Sequence, residues 1–157
     1  MLQTERVDIR CRATAGPDEL AAHHAVRHRV FVEEQHIFTG SDMDGRDASA
    51  RTIHVVGLVD GVIAGTVRLY PLGIDGAWQG DRLAVLREFR AHGLGAPLVR
   101  YAVRTAGERD GRVMVAHIQL PNVRFFQTLG WRCDGEVETY ARLPHQPMAI
   151  DLAPARR

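Results

Sequence analysis

The spacing of apolar residues changes repeatedly along the chain, and each change predicts a new element. "RVDIRCRA", beginning at Arg6, alternates apolar and polar positions as a half-buried strand does. "GPDELAAHHAVRHRVFV" then places Leu20, His24, Arg27 and Phe31 at helical intervals, with Pro17 in the first turn and Asp18 and Glu19 near the positive end of the helix. His24 and Arg27 make this an imperfect apolar face. "IHVVGLVDGVIAGTVRLYPL" reads as β-branched runs joined at Asp60-Gly61, the dipeptide suited to a type I′ hairpin turn.

A short strand, "GDRLAVL", comes next, and then a helix over "LGAPLVRYAVRTAGERD" in which Leu94, Leu98, Ala102 and Ala106 share one face. "GRVMVAHIQ" is a nearly continuous apolar strand. A strand, helix, strand unit of this length predicts a right-handed crossover and a parallel pair. The chain continues with a short helix in "NVRFFQTLGW", stopped by Gly130, and strands around "RCDGEVETYARL" and "PMAIDL". The order is that of a mixed α+β fold rather than a doubly wound one.

Composition narrows the function classes. The 157 residues, 45% hydrophobic and 25% charged, describe a single globular domain spanning 1–157. A formal charge of +1 gives no global reason to expect nucleic acid or an anionic membrane as partner. Every one of the 20 basic residues is arginine, which removes Schiff-base and P-loop lysine chemistry. The charged start "MLQTERVDIRCRAT" lacks the apolar core of a secretion signal, and no run approaches the ~20 apolar residues of a membrane span. The expectation is a cytoplasmic, bacterial protein, with its arginine and alanine richness read as coding bias. Cys11 and Cys133 lack metal or redox spacing and are read as small buried hydrophobes.

"REFRAHGLGAPL" holds the most pointed signal. Gly93 and Gly95 stand immediately before a helix, where free amides and the helix dipole favour an anion and where glycine lets a ligand approach the backbone. A Walker loop fails because Ala96-Pro97 follow Gly95, and a dinucleotide fingerprint fails because Leu98 stands where a third glycine is needed. What remains is a phosphate cradle at residues 92 to 96, with Arg87 and Arg90 as charged donors.

The stretch "RLAVLREFRAHGLGAPLV" resembles the pyrophosphate-binding segment of the GCN5-related N-acetyltransferases, a strand and a short turn followed by R-x-x-G-x-G opening a helix. The resemblance runs from about residue 5 to residue 152 and implies the α+β fold of that family, a central mixed twisted sheet of six to seven strands flanked by helices. It implies acetyl-coenzyme A as cofactor, Leu83 and Val85 along the pantetheine arm, and Arg90, His92, Gly93, Leu94, Gly95 and Ala96 around the pyrophosphate. Asn122 and Phe126 would complete the cofactor site. "RVFVEEQ" with the acidic loop, "WQGDRLAVL" and "AHIQLPNVRFFQTLGW" are similar to an acetyltransferase subgroup of bacterial nitrogen-starvation gene clusters.

The implied reaction is attack of a small-molecule amine on the acetyl thioester in a ternary complex. The backbone N–H of Val85 or a neighbour would polarise the carbonyl, provided that the fourth strand splays from the fifth. Glu34 is the first candidate base and His117 the second, with His54 and Asp81 also weighed; histidine changes charge near neutral pH. The pattern departs from the family at Phe126, which stands where a proton-donating tyrosine is common. Two other readings therefore stay open: an acyl-coenzyme A sensor without catalysis, and an autoinducer-synthase-like acyltransferase, which "RHRVFVEE" and "TVRLYP" also resemble.

No metal is expected. His24 and His28 lack a third ligand, and "DMDGRD" mimics a calcium loop with its glycine misplaced, so that it reads as an acidic solvated or substrate-facing loop. Trp78, Trp131 and the Phe125-Phe126 pair read as core or cofactor packing. The chemistry is compatible with a homodimer.

Overall fold

A computed structural model describes residues 6–153. The elements run β1 (Ile9–Ala13), α1 (Gly16–Arg27), β2 (Ile53–Val59), β3 (Val62–Pro71), β4 (Ala77–Val85), α2 (Gly95–Glu108), β5 (Val113–Gln119), α3 (Val123–Thr128), β6 (Arg132–Cys133), β7 (Glu138–Tyr140) and β8 (Leu143–Asp151). A π-helical turn, His28–Glu34, continues α1, and 3-10 turns precede α2 and α3. The strands form one mixed sheet in the order β1-β2-β3-β4-β5-β8-β6, with β7 also paired to β8. The sheet thus has eight strands where six to seven were expected, because "RCDGEVETYARL" splits into two short segments that flank β8 at different points.

The local chemistry explains most of this order. Asp60 and Gly61 both have positive φ, 49° and 81°, as the type I′ turn between β2 and β3 requires. Leu94, Leu98, Ala102 and Ala106 are all buried along α2, against Val55, Leu69 and Met114 of the sheet. On the opposite face Val26, Val30 and Phe31 pack on Ala84 and Leu86. The sheet is therefore covered on both sides, by α2 and α3 on one and by α1 and its π turn on the other. Trp78 and Trp131 belong to the core, as expected. Cys133, expected to be buried, is exposed, since β6 pairs only along one edge for two residues.

Two irregularities in β4 create the site. Opposite Thr66–Arg68 of β3 the register shifts, and Arg82 takes a positive φ of 52°, a β-bulge. The extra residue reverses the alternation: Leu83 and Val85 pack with the core on the α2 side, while Ala84 and Leu86 join the cluster under α1. The parallel pairing of β4 with β5 is confined to Ala77–Gln79 against Val113–Val115. Beyond Gln79 the two strands part.

Candidate active site

The parting strands open a cavity of about 120 Å³. Its first unpaired wall residues are Gly80 and Ala116, and Leu83, His117, Asn122 and Phe126 line it further out. Val85, the last residue of β4, lies beyond the lining residues. The Leu86 N–H donates to the Ala64 carbonyl of β3, while the Val85 carbonyl accepts from Arg90 Nε at 3.0 Å. Antiparallel pairing alternates direction residue by residue, so the Val85 amide group is turned away from β3, toward the gap.

At the N-terminus of α2 no side chain caps the helix, and Gly93 adopts φ +70°. Only glycine takes that angle without strain. Pro97 lacks an N–H, so the first-turn donors there are the amides of Gly95 and Ala96. A Cβ at Gly95 would come 3.4 Å from the Phe125 ring, a tight but ordinary approach. The uncapped amides, the left-handed Gly93 and the opened strand pair suit a pyrophosphate followed by a pantetheine arm.

Not every residue singled out in the sequence stands at this cavity. Glu34 lies outside it, on the surface beside Arg29, Glu33, Arg87 and Glu88. It accepts both guanidinium nitrogens of Arg90, at 2.7 and 2.9 Å, and those hydrogen bonds hold its carboxyl below the usual range. A carboxylate so paired is a poor proton acceptor, and Arg90 is bound to Glu34 and Val85 rather than free for phosphate. His54 is buried in hydrogen-bonding contact with Asp47 at 2.9 Å and does not line the cavity. Asp81 does line it, but both its oxygens accept from Arg68 at 2.7 Å. His117 is placed at the cavity, with Nδ1 3.2 Å from Glu138.

Sequence reasoning passed over Tyr140 and His145, which also line the cavity. The Tyr140 ring stacks on His117 at 5.5 Å and meets His145 edge-on at 5.3 Å. Its hydroxyl accepts from Arg82 Nη1 at 3.3 Å, which leaves its own proton free to be donated elsewhere. Tyr140 precedes a two-residue turn, Ala141-Arg142, with φ of 48° and 67°. Non-glycine residues at such angles give no turn signal in the sequence.

Below the α1 face lies a buried ion network. Asp42 Oδ2 accepts from Arg27 Nε at 2.7 Å and from Arg82 Nε at 3.1 Å. Arg68 pairs with Asp44 and Asp81, and Arg27 with Asp47. The loop "DMDGRD", expected to be solvated or substrate-facing, thus supplies the internal counter-charges for Arg27 and Arg68, both 0% exposed. Burial alone would raise the Asp47 carboxyl, but hydrogen bonds from Arg27, the Asp44 amide and His54 outweigh it and hold the group below the usual carboxylate range. His23 Nδ1–H donates to the Val55 carbonyl at 3.0 Å, and burial followed by the nearby Arg27 charge push its pKa down to about 3. His24, Asp47 and His54 bring potential metal-ligand atoms within 4.8 Å of one another. The guanidinium groups of Arg27 and Arg68, both on Asp47, oppose a cation there.

Residues 17–131 match the model of the acetyltransferase (GNAT) family. The chain belongs to that family. It is 28% identical over 127 residues to the uncharacterized N-acetyltransferase YjcF of Bacillus subtilis, across 80% of this chain and 88% of that one. Among solved structures it superposes with a TM-score of 0.80 and 26% identity on a Lactobacillus plantarum protein described as an N-acetyltransferase, covering 95% of this chain and all of that one. A CoA-dependent acyl-homoserine lactone synthase, BjaI, solved with SAM and isopentyl-CoA, shares the fold at a TM-score of 0.72 and 19% identity, over 87% of this chain and 77% of BjaI. This GNAT chain is an acyltransferase by family, and no helix among its described residues is long and apolar enough to cross a membrane.

Proposed function

We propose that this GNAT domain transfers an acyl group from a coenzyme A thioester to a small-molecule amine by direct attack in a ternary complex. The observation that carries the reading is the parting of β4 from β5 after Gln79, with the Val85 amide turned into the gap. The amides of residues 92 to 96 would hold the pyrophosphate, and Leu83, Val85, Asn122 and Phe126 the pantetheine arm. The donor supplies an activated thioester carbonyl. Val85 N–H would donate to its oxygen as negative charge develops.

In this reading His117 accepts the proton that the attacking amine loses, with Glu138 orienting its ring, and Tyr140 returns a proton to the thiolate as the carbon–sulfur bond breaks. Phe126, 5% exposed and edge-on to Trp131 at 5.3 Å, packs beside the arm and needs no acidic role. Glu34 is reassigned from base to clamp: it fixes Arg90, which fixes the end of β4. The likeness of "WQGDRLAVL" and "AHIQLPNVRFFQTLGW" to the nitrogen-starvation subgroup names no acceptor, and the proposal stays at a small-molecule amine in the cytoplasm.

A second reading, an autoinducer-synthase-like acyl transfer, is favoured by one observation. Arg27 and Arg68, which anchor the buried ion network beside the cavity, lie in "RHRVFVEE" and "TVRLYP", the stretches that resemble autoinducer synthases. Thiol release from CoA thioesters, measured over a panel of amines that includes S-adenosylmethionine, tests both. Tyr140→Phe should lower turnover at least tenfold with donor affinity unchanged. Turnover unaltered in Tyr140→Phe and in His117→Ala would remove both assignments, and release only with S-adenosylmethionine would favour the second reading.

A further inference from the structure

We infer that His145 is a specificity-determining residue for the acceptor, and that it selects an amine carrying a neutral hydrogen-bond donor, a hydroxyl, close to the reacting nitrogen. The inference rests on the acyltransferase reading and names its acceptor class. The pairing of β5 with β8 sets His145 opposite Gln119 and Pro147 opposite His117. Opposed residues of an antiparallel pair share a face, so His117 and His145 are diagonal neighbours on one face, their backbone positions roughly 7–8 Å apart. Glu138 of β7 lies opposite His145, and Tyr140, two residues on, shares that face as well. The Tyr140 ring is in contact with both imidazoles, stacked on His117 and edge-on to His145.

The two rings offer different atoms to a ligand. His117 has Nδ1 3.2 Å from Glu138, which leaves Nε2 for the reacting amine. His145 Nδ1 lies 2.9 Å from the Leu143 carbonyl oxygen. A carbonyl has no proton to give, so Nδ1 carries the hydrogen and, in the neutral ring, Nε2 is an acceptor. That Nε2 has no hydrogen-bond partner among the described residues, although His145 is only 4% exposed and lines the cavity. A buried acceptor left unpaired is costly, and a donor on the bound molecule removes the cost. The donor is neutral, because the adjacent Tyr140 hydroxyl already accepts from the Arg82 guanidinium and a second cation beside it would be repelled. An imidazole one diagonal away from the base places that donor a carbon or two from the amine, as in a short amino alcohol. Phe31, Ile37 and Phe38 line the same cavity and suit an apolar branch on the acceptor.

Leucinol and phenylalaninol, each compared with its methyl ether and with the amine lacking the oxygen, test this with acetyl-CoA as donor. A site built to bond a hydroxyl strongly rejects analogues without it, so kcat/KM of the parent for each alcohol should exceed that for both analogues by at least about a hundredfold. The ether is larger than the alcohol and the deoxy amine smaller, so a loss with both excludes size as the cause. His145→Phe keeps a ring but removes Nε2, and should bring the ratio to within about fivefold of unity by slowing the alcohols alone. Damage to the fold would slow all the amines alike and leave the ratio unchanged; thermal melts check the variant. Nitrogen NMR of isotopically labelled histidines in the parent gives a second readout, in which leucinol, but not its deoxy analogue, should shift the His145 Nε2 signal. Deoxy amines that react as fast as the alcohols, an unchanged ratio in folded His145→Phe, or an Nε2 signal that leucinol does not move overturns the inference and leaves the acyltransferase reading standing. Thiol release with no amine of the panel, while acetyl-CoA binds, overturns both.

Discussion

Asp42 is the residue whose removal should be felt most in the acceptor-side wall. It is 2% exposed and its carboxylate bridges two guanidinium groups, those of Arg27 and Arg82. Its carbonyl accepts from the same pair, at 3.4 and 2.9 Å. Asp42→Asn keeps the size and the backbone contacts but leaves two buried cations short of one negative charge. Breaking a buried pair from one side costs about 3–5 kcal/mol. The lower end applies, because Arg27 keeps Asp47 and Arg82 keeps Asp44 as partners. For a chain of this length ~3 kcal/mol corresponds to a fall of about 6–12 °C in melting temperature. Urea melts of the parent, Asp42→Asn and a control, Asp151→Asn in an exposed pair with Arg132, measure it. The control should match the parent. A loss below about 1 kcal/mol for Asp42→Asn would mean that solvent screens the network, as it does surface pairs, and the account of the buried wall would be wrong.

Other consequences concern pH and the loop before α2. His23, neutral in the fold with a pKa of about 3 against the ordinary 6.5, takes up a proton on unfolding. Stability should therefore hold above pH 6.5 and fall as pH drops toward 3, by about 2 kcal/mol at pH 5; denaturant melts between pH 5 and 7 read this slope, and a flat profile refutes it. Glu34→Gln, which loosens Arg90 while touching no cavity residue, should cost at most about 1 kcal/mol of stability and change kcat less than fivefold; a hundredfold fall in kcat, of the size a positioned base supplies, would restore Glu34 as the base. Gly93→Ala should destabilise through its φ of +70°, whereas Gly95→Val, near Phe125, should weaken donor binding in a protein that still melts cooperatively. Equal effects of the two on binding, without loss of stability in Gly93→Ala, would remove the conformational argument.

Much of the fold was legible because its signals are local. The Asp60-Gly61 turn, the apolar face of α2 and the parallel β4 and β5 all follow from spacing and turn chemistry. The glycine loop was legible too, since few backbones need Gly93 and Gly95 just ahead of a helix. The bulge at Arg82 was not, because a reversal of alternation by one residue in "RLAV" looks like ordinary strand sequence. The buried network was hidden for a related reason. Arg27 and Arg68 are charged by type, and their 0% exposure depends on carboxylates 13 to 24 positions away. Tyr140 reaches the cavity only through the hairpin with β8, a contact no periodicity encodes.

The central claim is that the gap between β4 and β5 receives the thioester with its carbonyl against Val85. A crystal structure of the protein with a non-hydrolysable CoA thioester analogue tests it most directly. The account predicts the pyrophosphate on the amides of residues 92 to 96 and the carbonyl oxygen about 3 Å from Val85 N, within hydrogen-bonding distance. An analogue bound outside the gap, or one with its carbonyl turned away from β4, would contradict it.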